Sequence, residues 1–256
     1  MNIGQVIVLA IVQGLTEFLP ISSSGHLVIF QKLLGLSEAP VDLDVLLHFG
    51  TLMAIIFFFK KELLDLFKNL KKDTGLLQLI FIGSLPAGLV GLIFKKNLEN
   101  SFNSLLIVGI CYLVTAIFLF STRFIRLKRS GSLEQIKISD AFLIGIFQAL
   151  AVLPGISRSG STIVVGWWRG LSGSASFSFS FLLAIPAIIG AVILELPDIF
   201  AKSDHLGYSL LGMLISVVIG LFSLKFLQNV LKNRKLYLFG FYCFTLGILI
   251  LLNYQK

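Results

Sequence analysis

Apolar residues along this chain come in blocks of helical length rather than in strand-like alternation, and short basic stretches separate the blocks. A full bilayer crossing needs about 20 apolar residues, within a range of about 17 to 25. Six blocks qualify: 43 to 59, 76 to 94, 105 to 122, 175 to 196, 208 to 228 and 237 to 253. Two further regions, 3 to 37 and 138 to 171, are apolar but broken at PISSSG and PGISRSGS. Each is too short to cross twice, and irregular backbone at membrane depth is tolerated only where protein or water surrounds it. The pattern therefore predicts a re-entrant helical hairpin in each region, with both polar breaks near mid-membrane.

Charge supports non-crossing hairpins. Under that count, segments 60 to 72, 123 to 137 and 232 to 235 share one side and carry thirteen Lys and Arg residues. The opposite side carries four: Lys95, Lys96, Lys202 and Lys256. The positive-inside rule then puts Lys71 and Arg129 in the cytoplasm and Lys202 and both termini outside. Treating either hairpin as a crossing would split the basic loops between the two sides.

Composition agrees with this picture. Of 256 residues, 56% are hydrophobic and 13% charged, with mean hydropathy +0.95, whereas a soluble domain is about 25% charged. The chain reads as a single integral membrane domain over 1 to 256, with no stretch left for a separate soluble one. In a soluble chain the net charge of +8 would suggest nucleic acid; here the basic residues lie between apolar blocks as topology signals, and no nucleic-acid partner is expected. Cys111 and Cys243 stand alone in apolar segments and read as inert core thiols. The N-terminal run lacks a basic n-region and contains Gln13 and Glu17, so it does not read as a cleaved signal peptide.

Sliding the sequence by 135 aligns Gln13 with Gln148, Leu15 with Leu150, Ile21 with Ile156, Ser22 with Ser157, Ser24 with Ser159 and Gly25 with Gly160. Each hairpin is followed by three spans. An odd number of crossings per unit makes the second copy enter from the opposite face, an architecture that builds sites where broken helices meet at the midplane. The expected fold is thus an all-α polytopic membrane protein of two inverted-topology repeats, about 1 to 130 and 131 to 256. The two breaks should face each other.

Their residues suggest phosphate chemistry. Gln13 and Glu17, four apart on a helix, share a face, and both present hard oxygen ligands suited to Mg²⁺ or Ca²⁺. After Pro20 the Ser-Ser-Ser-Gly turn can cap the returning helix, whose N–H groups and dipole favour an anion. With Ser23 as the N-cap, His26 should approach the Ser23 hydroxyl. Ser157, Arg158 and Ser159 add a guanidinium fork.

Plainer readings cover other residues. Ser-rich turns in membrane helices are mostly caps or packing contacts, which suits Ser22 and Ser174 to Ser180. Asp44 and His48 have metal-ligand spacing but read better as a helix-end pair facing a polar pocket. Glu195, Asp198 and Asp204 read as a solvated edge. Glu17 and Arg158 stand apart, because a charge at bilayer depth costs about 2.5 to 3.5 kcal/mol or more and is by default paired and functional. A purely structural ion pair between them is the competing reading, and it leaves the Ser and His cluster unexplained.

QGLTEFLPISSSGH resembles the [E/Q]xxxE segment and following Ser/Thr-Gly-His turn of the undecaprenyl-diphosphate phosphatases, the bacitracin-resistance proteins. PGISRSGST is similar to their PGxSRSG motif, and DVLLHFGTLMA, GSLPAGLVGL and FSFLLAIPA resemble the intervening helices. The resemblance spans essentially the whole chain. It implies hydrolysis of undecaprenyl diphosphate to the monophosphate carrier at the outer face of the bacterial cytoplasmic membrane, serving cell-wall synthesis and bacitracin resistance. It implies a divalent cation, a polyprenyl diphosphate in contact with membrane lipids, and is compatible with a homodimer. By position it makes Glu17, Ser23, His26 and Arg158 catalytic, with Ser23 or water as nucleophile. Gln13, Ser22, Ser24, Gly25, Ser157, Ser159, Gly160 and Thr162 would bind substrate, and Glu17 with Gln13 would meet the metal. Gln13 stands where many members have Glu. The rival class is a lipid flippase or transporter, which shares the inverted-repeat architecture.

Overall fold

The computed structural model describes residues 1–36, 40–68, 74–125, 132–202 and 206–254. Their helices are α1 (Ile3–Thr16), α2 (Ser23–Leu33), α3 (Val41–Phe58), α4 (Lys60–Lys68), α5 (Thr74–Ile93), α6 (Lys95–Phe102), α7 (Leu105–Ser121), α8 (Ile138–Leu150), α9 (Arg158–Trp168), α10 (Gly173–Lys202), α11 (Leu206–Lys232) and α12 (Leu238–Tyr254). No strand occurs among the described residues. All six long apolar blocks are helices. Those of α3, α5, α7, α10 and α11 are long and apolar enough to cross a membrane, and α12 is a shorter apolar helix of 17 residues. The expected all-α polytopic architecture is therefore present. The basic positions Lys71, Arg129 and Lys256, and Asp204, fall outside the described residues.

Two stretches read as plain loops carry short helices instead. In α4 the apolar Leu63, Leu64, Leu66 and Phe67 fall at helical spacing among lysines and acids, and Leu66 is buried. This amphipathic spacing lets a short helix form where charge alone suggested a loop.

Both interrupted regions are paired short helices. The arms are 14 and 11 residues in α1 and α2, and 13 and 11 in α8 and α9. At 1.5 Å per residue even the longest reaches about 21 Å, short of the roughly 30 Å of a hydrocarbon core. Within each pair the arms pack on one another.

Helix neighbours pair up when the two halves are exchanged. α1 packs on α11 as α8 packs on α5; α3 packs on α11 as α10 packs on α5; α3 meets α10, and α7 meets α12. Close approach enforces some of these contacts. A Cβ on Gly50 would lie 2.5 Å from the Met213 carbonyl oxygen across the α3–α11 contact. The outer surface is apolar, with Phe81, Ile117, Phe222 and Leu252 each more than 60% exposed, as a bilayer-facing surface requires. The core holds an aromatic cluster in which Phe177, Phe181, Phe59 and Phe18 are stacked, tilted or set edge to face, with Phe181 against Arg158.

Candidate active site

The two returning helices start the same way. Ser22 caps α2 by accepting from the Gly25 N–H at 3.3 Å, and Ser157 caps α9 by accepting from the Gly160 N–H at 3.1 Å. The cap of α2 is thus Ser22, one residue earlier than expected, because Ser22 takes a left-handed backbone conformation (φ 65°, ψ 102°) that turns the chain sharply into the helix. A non-glycine residue held there costs on the order of 1–3 kcal/mol. Partners from the other break help to hold it: the Gly155 N–H donates to Ser22 Oγ at 3.0 Å, and Ser159 Oγ donates to the Leu19 carbonyl at 3.2 Å. The breaks therefore touch directly.

This capping places Ser23 and Arg158 at the first helical positions of α2 and α9, and both reach one carboxylate. Ser23 Oγ–H donates to Glu17 Oε2 at 2.6 Å, and Arg158 Nη2 donates to Glu17 Oε1 at 2.7 Å. Glu17 is 9% exposed. Gln13 Nε2 donates to the same Oε2 at 3.2 Å. The second terminal nitrogen of the guanidinium, Nη1, is buried without a hydrogen-bond partner, and its Cζ sits 5.6 Å from the Phe181 ring centroid. One edge of the Arg158 fork is committed to Glu17, and the other remains available to an anion. Glu17, Ser23, Arg158 and Gln13 are brought together.

His26 is not part of that group. Its Nδ1 lies 2.7 Å from the Ser22 carbonyl oxygen and 2.8 Å from the Tyr112 hydroxyl, and its Nε2 lies 2.7 Å from the Tyr242 hydroxyl. A carbonyl only accepts, so Nδ1 carries the proton and Nε2 accepts from Tyr242. The expected approach of His26 to the Ser23 hydroxyl does not occur. With Ser22 as the cap, the imidazole falls four residues on and turns back to the cap's own carbonyl, while Glu17 takes the Ser23 hydroxyl.

The residues expected to bind substrate form a supporting shell. Ser24 bonds Ser22 at 3.2 Å and Ser159 bonds Ser157 at 3.3 Å, hydroxyl to hydroxyl. Thr162 donates to the Arg158 carbonyl at 2.9 Å and pairs with Ser180 at 2.6 Å. A Cβ on Gly25 would meet the Tyr112 ring at 2.8 Å, and one on Gly160 would meet the Pro20 Cβ at 3.2 Å. These glycines let the helix starts pack tightly. Gln148, aligned with Gln13 in the repeat, is buried and neither of its amide atoms has a partner.

The side-chain oxygens at hand for a divalent cation belong to Glu17 and Gln13. Both Glu17 oxygens accept from Arg158, Ser23 and Gln13, and Gln13 turns its N–H to Glu17 while its own Oε1 is buried without a partner. Among the described residues no three His, Cys, Asp or Glu side chains gather as ligands. Arg158 neutralises the Glu17 carboxylate, and Gln13 Oε1 is the open oxygen beside it.

Four neighbours escaped the motif reading. Thr115 Oγ1 donates to the Gly155 carbonyl at 2.8 Å and accepts from the Ser157 N–H at 3.1 Å, stapling α7 to the second break. Tyr112 and Tyr242 hold His26. His48, read from its spacing as paired with Asp44, also comes within 4.0 Å of Glu17 Oε2 through Nε2. No spacing rule reaches across these distances in sequence.

A family model described as bacitracin resistance protein BacA matches residues 6–249. The chain belongs to this family. BacA-family relatives similar to it over nearly their full length include the undecaprenyl-diphosphatase of Halothermothrix orenii, 39% identical over 98% of both chains. The undecaprenyl-diphosphatase 4 of Bacillus cereus strain ZK / E33L is 41% identical over 98% of this chain and 97% of its own. The undecaprenyl-diphosphatase of Carboxydothermus hydrogenoformans is 40% identical over 98% of this chain and 97% of its own. Both broken motifs, and so the Glu17–Ser23–Arg158 group, lie inside the part of the chain that the BacA family matches.

Proposed function

We propose that this chain hydrolyses undecaprenyl diphosphate to undecaprenyl phosphate and inorganic phosphate. The observation that carries the reading is the Ser23 hydroxyl bonded at 2.6 Å to a carboxylate whose other oxygen is held at 2.7 Å by Arg158, with Arg158 Nη1 buried and unpaired. A hydroxyl on a carboxylate beside an anion-binding fork, at the starts of two helices whose N–H groups also favour anions, suits attack on a phosphoryl group. In this reading Ser23 Oγ attacks the terminal phosphorus, Glu17 accepts its proton and Arg158 Nη1 binds the phosphoryl oxygens. His26 positions the turn. Mg²⁺ or Ca²⁺ would be held by Gln13 and Glu17 and would supply further positive charge toward the diphosphate.

A lipid substrate has support in the fold. An apolar groove of about 690 Å³, lined by Leu15, Leu19, Phe30, Phe226, Leu238 and Phe239 among others, reaches His26 and Tyr242; Lys235 also lines it, so a polyprenyl chain held there would run from His26 toward the cytoplasmic side. The exchange of helix neighbours between the halves supports the inverted repeat of 1 to 130 and 131 to 256, and the charge count supports an outward-opening site with both termini outside. On that placement the protein recycles the lipid carrier for cell-wall synthesis at the outer face of the cytoplasmic membrane and protects against bacitracin.

The flippase reading shares the broken helices but leaves the Ser23–Glu17 bond without a purpose. Purified protein given polyprenyl diphosphate and Mg²⁺ separates the two. Release of inorganic phosphate is the expected result; lipid exchange between leaflets without release would favour the flippase.

A further inference from the structure

His48 lies on α3, outside both motifs. Its Nδ1 is 2.8 Å from the Asp44 carbonyl oxygen, which only accepts, so the ring proton of the neutral imidazole sits on Nδ1 and Nε2 keeps its lone pair. That nitrogen faces Glu17 Oε2 at 4.0 Å and makes no hydrogen bond among the described residues. The same carboxylate oxygen receives the Ser23 hydroxyl. Of the two imidazoles near the site, His26 has both nitrogens engaged, while His48 has Nε2 open at 4.0 Å from Glu17 Oε2. The register of α3 is held by packing: Gly50 admits the Met213 carbonyl of α11, and Thr51 Oγ1 donates to the His48 carbonyl at 2.8 Å.

Glu17 alone makes a poor resting place for a proton. Protonating it would cancel the charge that faces Arg158 at 2.7 Å and leave a guanidinium, 14% exposed, without its counter-ion. The His48 side chain is 32% exposed and so has a path to water. We propose that His48 is a proton-relay residue of the hydrolysis, taking from Glu17 the proton that Ser23 gives up. This rests on the hydrolase reading. As Ser23 Oγ bonds to the terminal phosphorus, the P–O bond to the lipid monophosphate breaks and its electron pair leaves with the lipid oxygen. The Oγ proton passes to Glu17 Oε2 and, as the 4.0 Å gap to His48 Nε2 closes to hydrogen-bond distance, to that nitrogen, which releases it to water. Water then attacks the phosphoserine; its oxygen bonds to phosphorus, the P–Oγ bond breaks, and a water proton returns to Oγ.

The test uses full-length protein in detergent with polyprenyl diphosphate, comparing wild type, His48→Ala, His48→Gln, Ser23→Ala and Glu17→Gln. A lost proton acceptor is worth about 10²-fold or more in rate, so kcat of both His48 variants should fall on that order with KM and melting temperature unchanged. Free imidazole should restore part of the rate to His48→Ala and none to Ser23→Ala or Glu17→Gln. His48→Gln keeps a side chain of similar reach with no basic nitrogen, and it carries the test if His48→Ala does not fold. A wild-type rate in His48→Gln, or a folded His48→Ala that imidazole does not rescue, would overturn the relay while leaving the hydrolase reading intact. A wild-type protein that releases no phosphate would sink both.

Discussion

Replacing Arg158 by Lys keeps one positive charge near Glu17 and removes the fork. The guanidinium spans two tasks, with Nη2 on Glu17 Oε1 at 2.7 Å and Nη1 buried with no protein partner. A single ammonium can stay with Glu17 or turn to a phosphoryl oxygen, but it cannot hold both in one plane. One hydrogen bond to a charged group is worth about 1.5–3 kcal/mol, which at about 1.36 kcal/mol per tenfold predicts a loss of roughly 10- to 150-fold in kcat/KM. The loss should appear in kcat as well as in substrate affinity, because charge on the phosphoryl oxygens shifts during transfer. Thermal stability should change little, since the ion pair with Glu17 survives. Glu17→Gln is the contrast: it leaves the guanidinium uncompensated, and breaking a buried pair from one side costs about 3–5 kcal/mol, so this variant should melt earlier as well as lose activity. Phosphate release, lipid-diphosphate affinity and melting in detergent measure all three quantities. Arg158→Lys with an unchanged kcat/KM would refute the phosphate-binding role, and a steep drop in its melting temperature would identify a structural pair.

Other outcomes follow from the same geometry. Ser23→Ala should lose release by about 10² or more while keeping fold and insertion; near-full activity would replace the serine route by activated water. Gly50→Ala should destabilise by about 1–3 kcal/mol through overpacking, because its Cβ would press on the Met213 backbone, and unchanged melting would disprove that close approach. Single cysteines at the exposed positions Asn97 and Arg234, in a chain lacking Cys111 and Cys243, should react with an impermeant thiol reagent from outside at 97 only. Labelling of 234 in intact cells would refute the proposed orientation.

Residue pattern alone determined the long helices and the paired short arms at the two breaks, because both follow from local properties. An apolar block of bilayer length has no alternative to a helix where water is absent, and a Ser-rich break after Pro20 or Pro154 stops one helix and caps the next. The pairing of Glu17 with Arg158 was also legible, since two buried charges in a lipid-facing chain stabilise each other or are not kept. Which imidazole meets which partner was not legible. His26 lies three residues from Ser23 in the chain but turns to Tyr112 and Tyr242, on α7 and α12, because a single residue at φ 65° moved the helix cap. His48 is distant in the chain but reaches Glu17 because the glycine contact between α3 and α11 sets its helix in place. Sequence spacing determines neighbours along one helix; contacts between helices depend on the packing of all of them together, and that is where the tertiary structure decided the site.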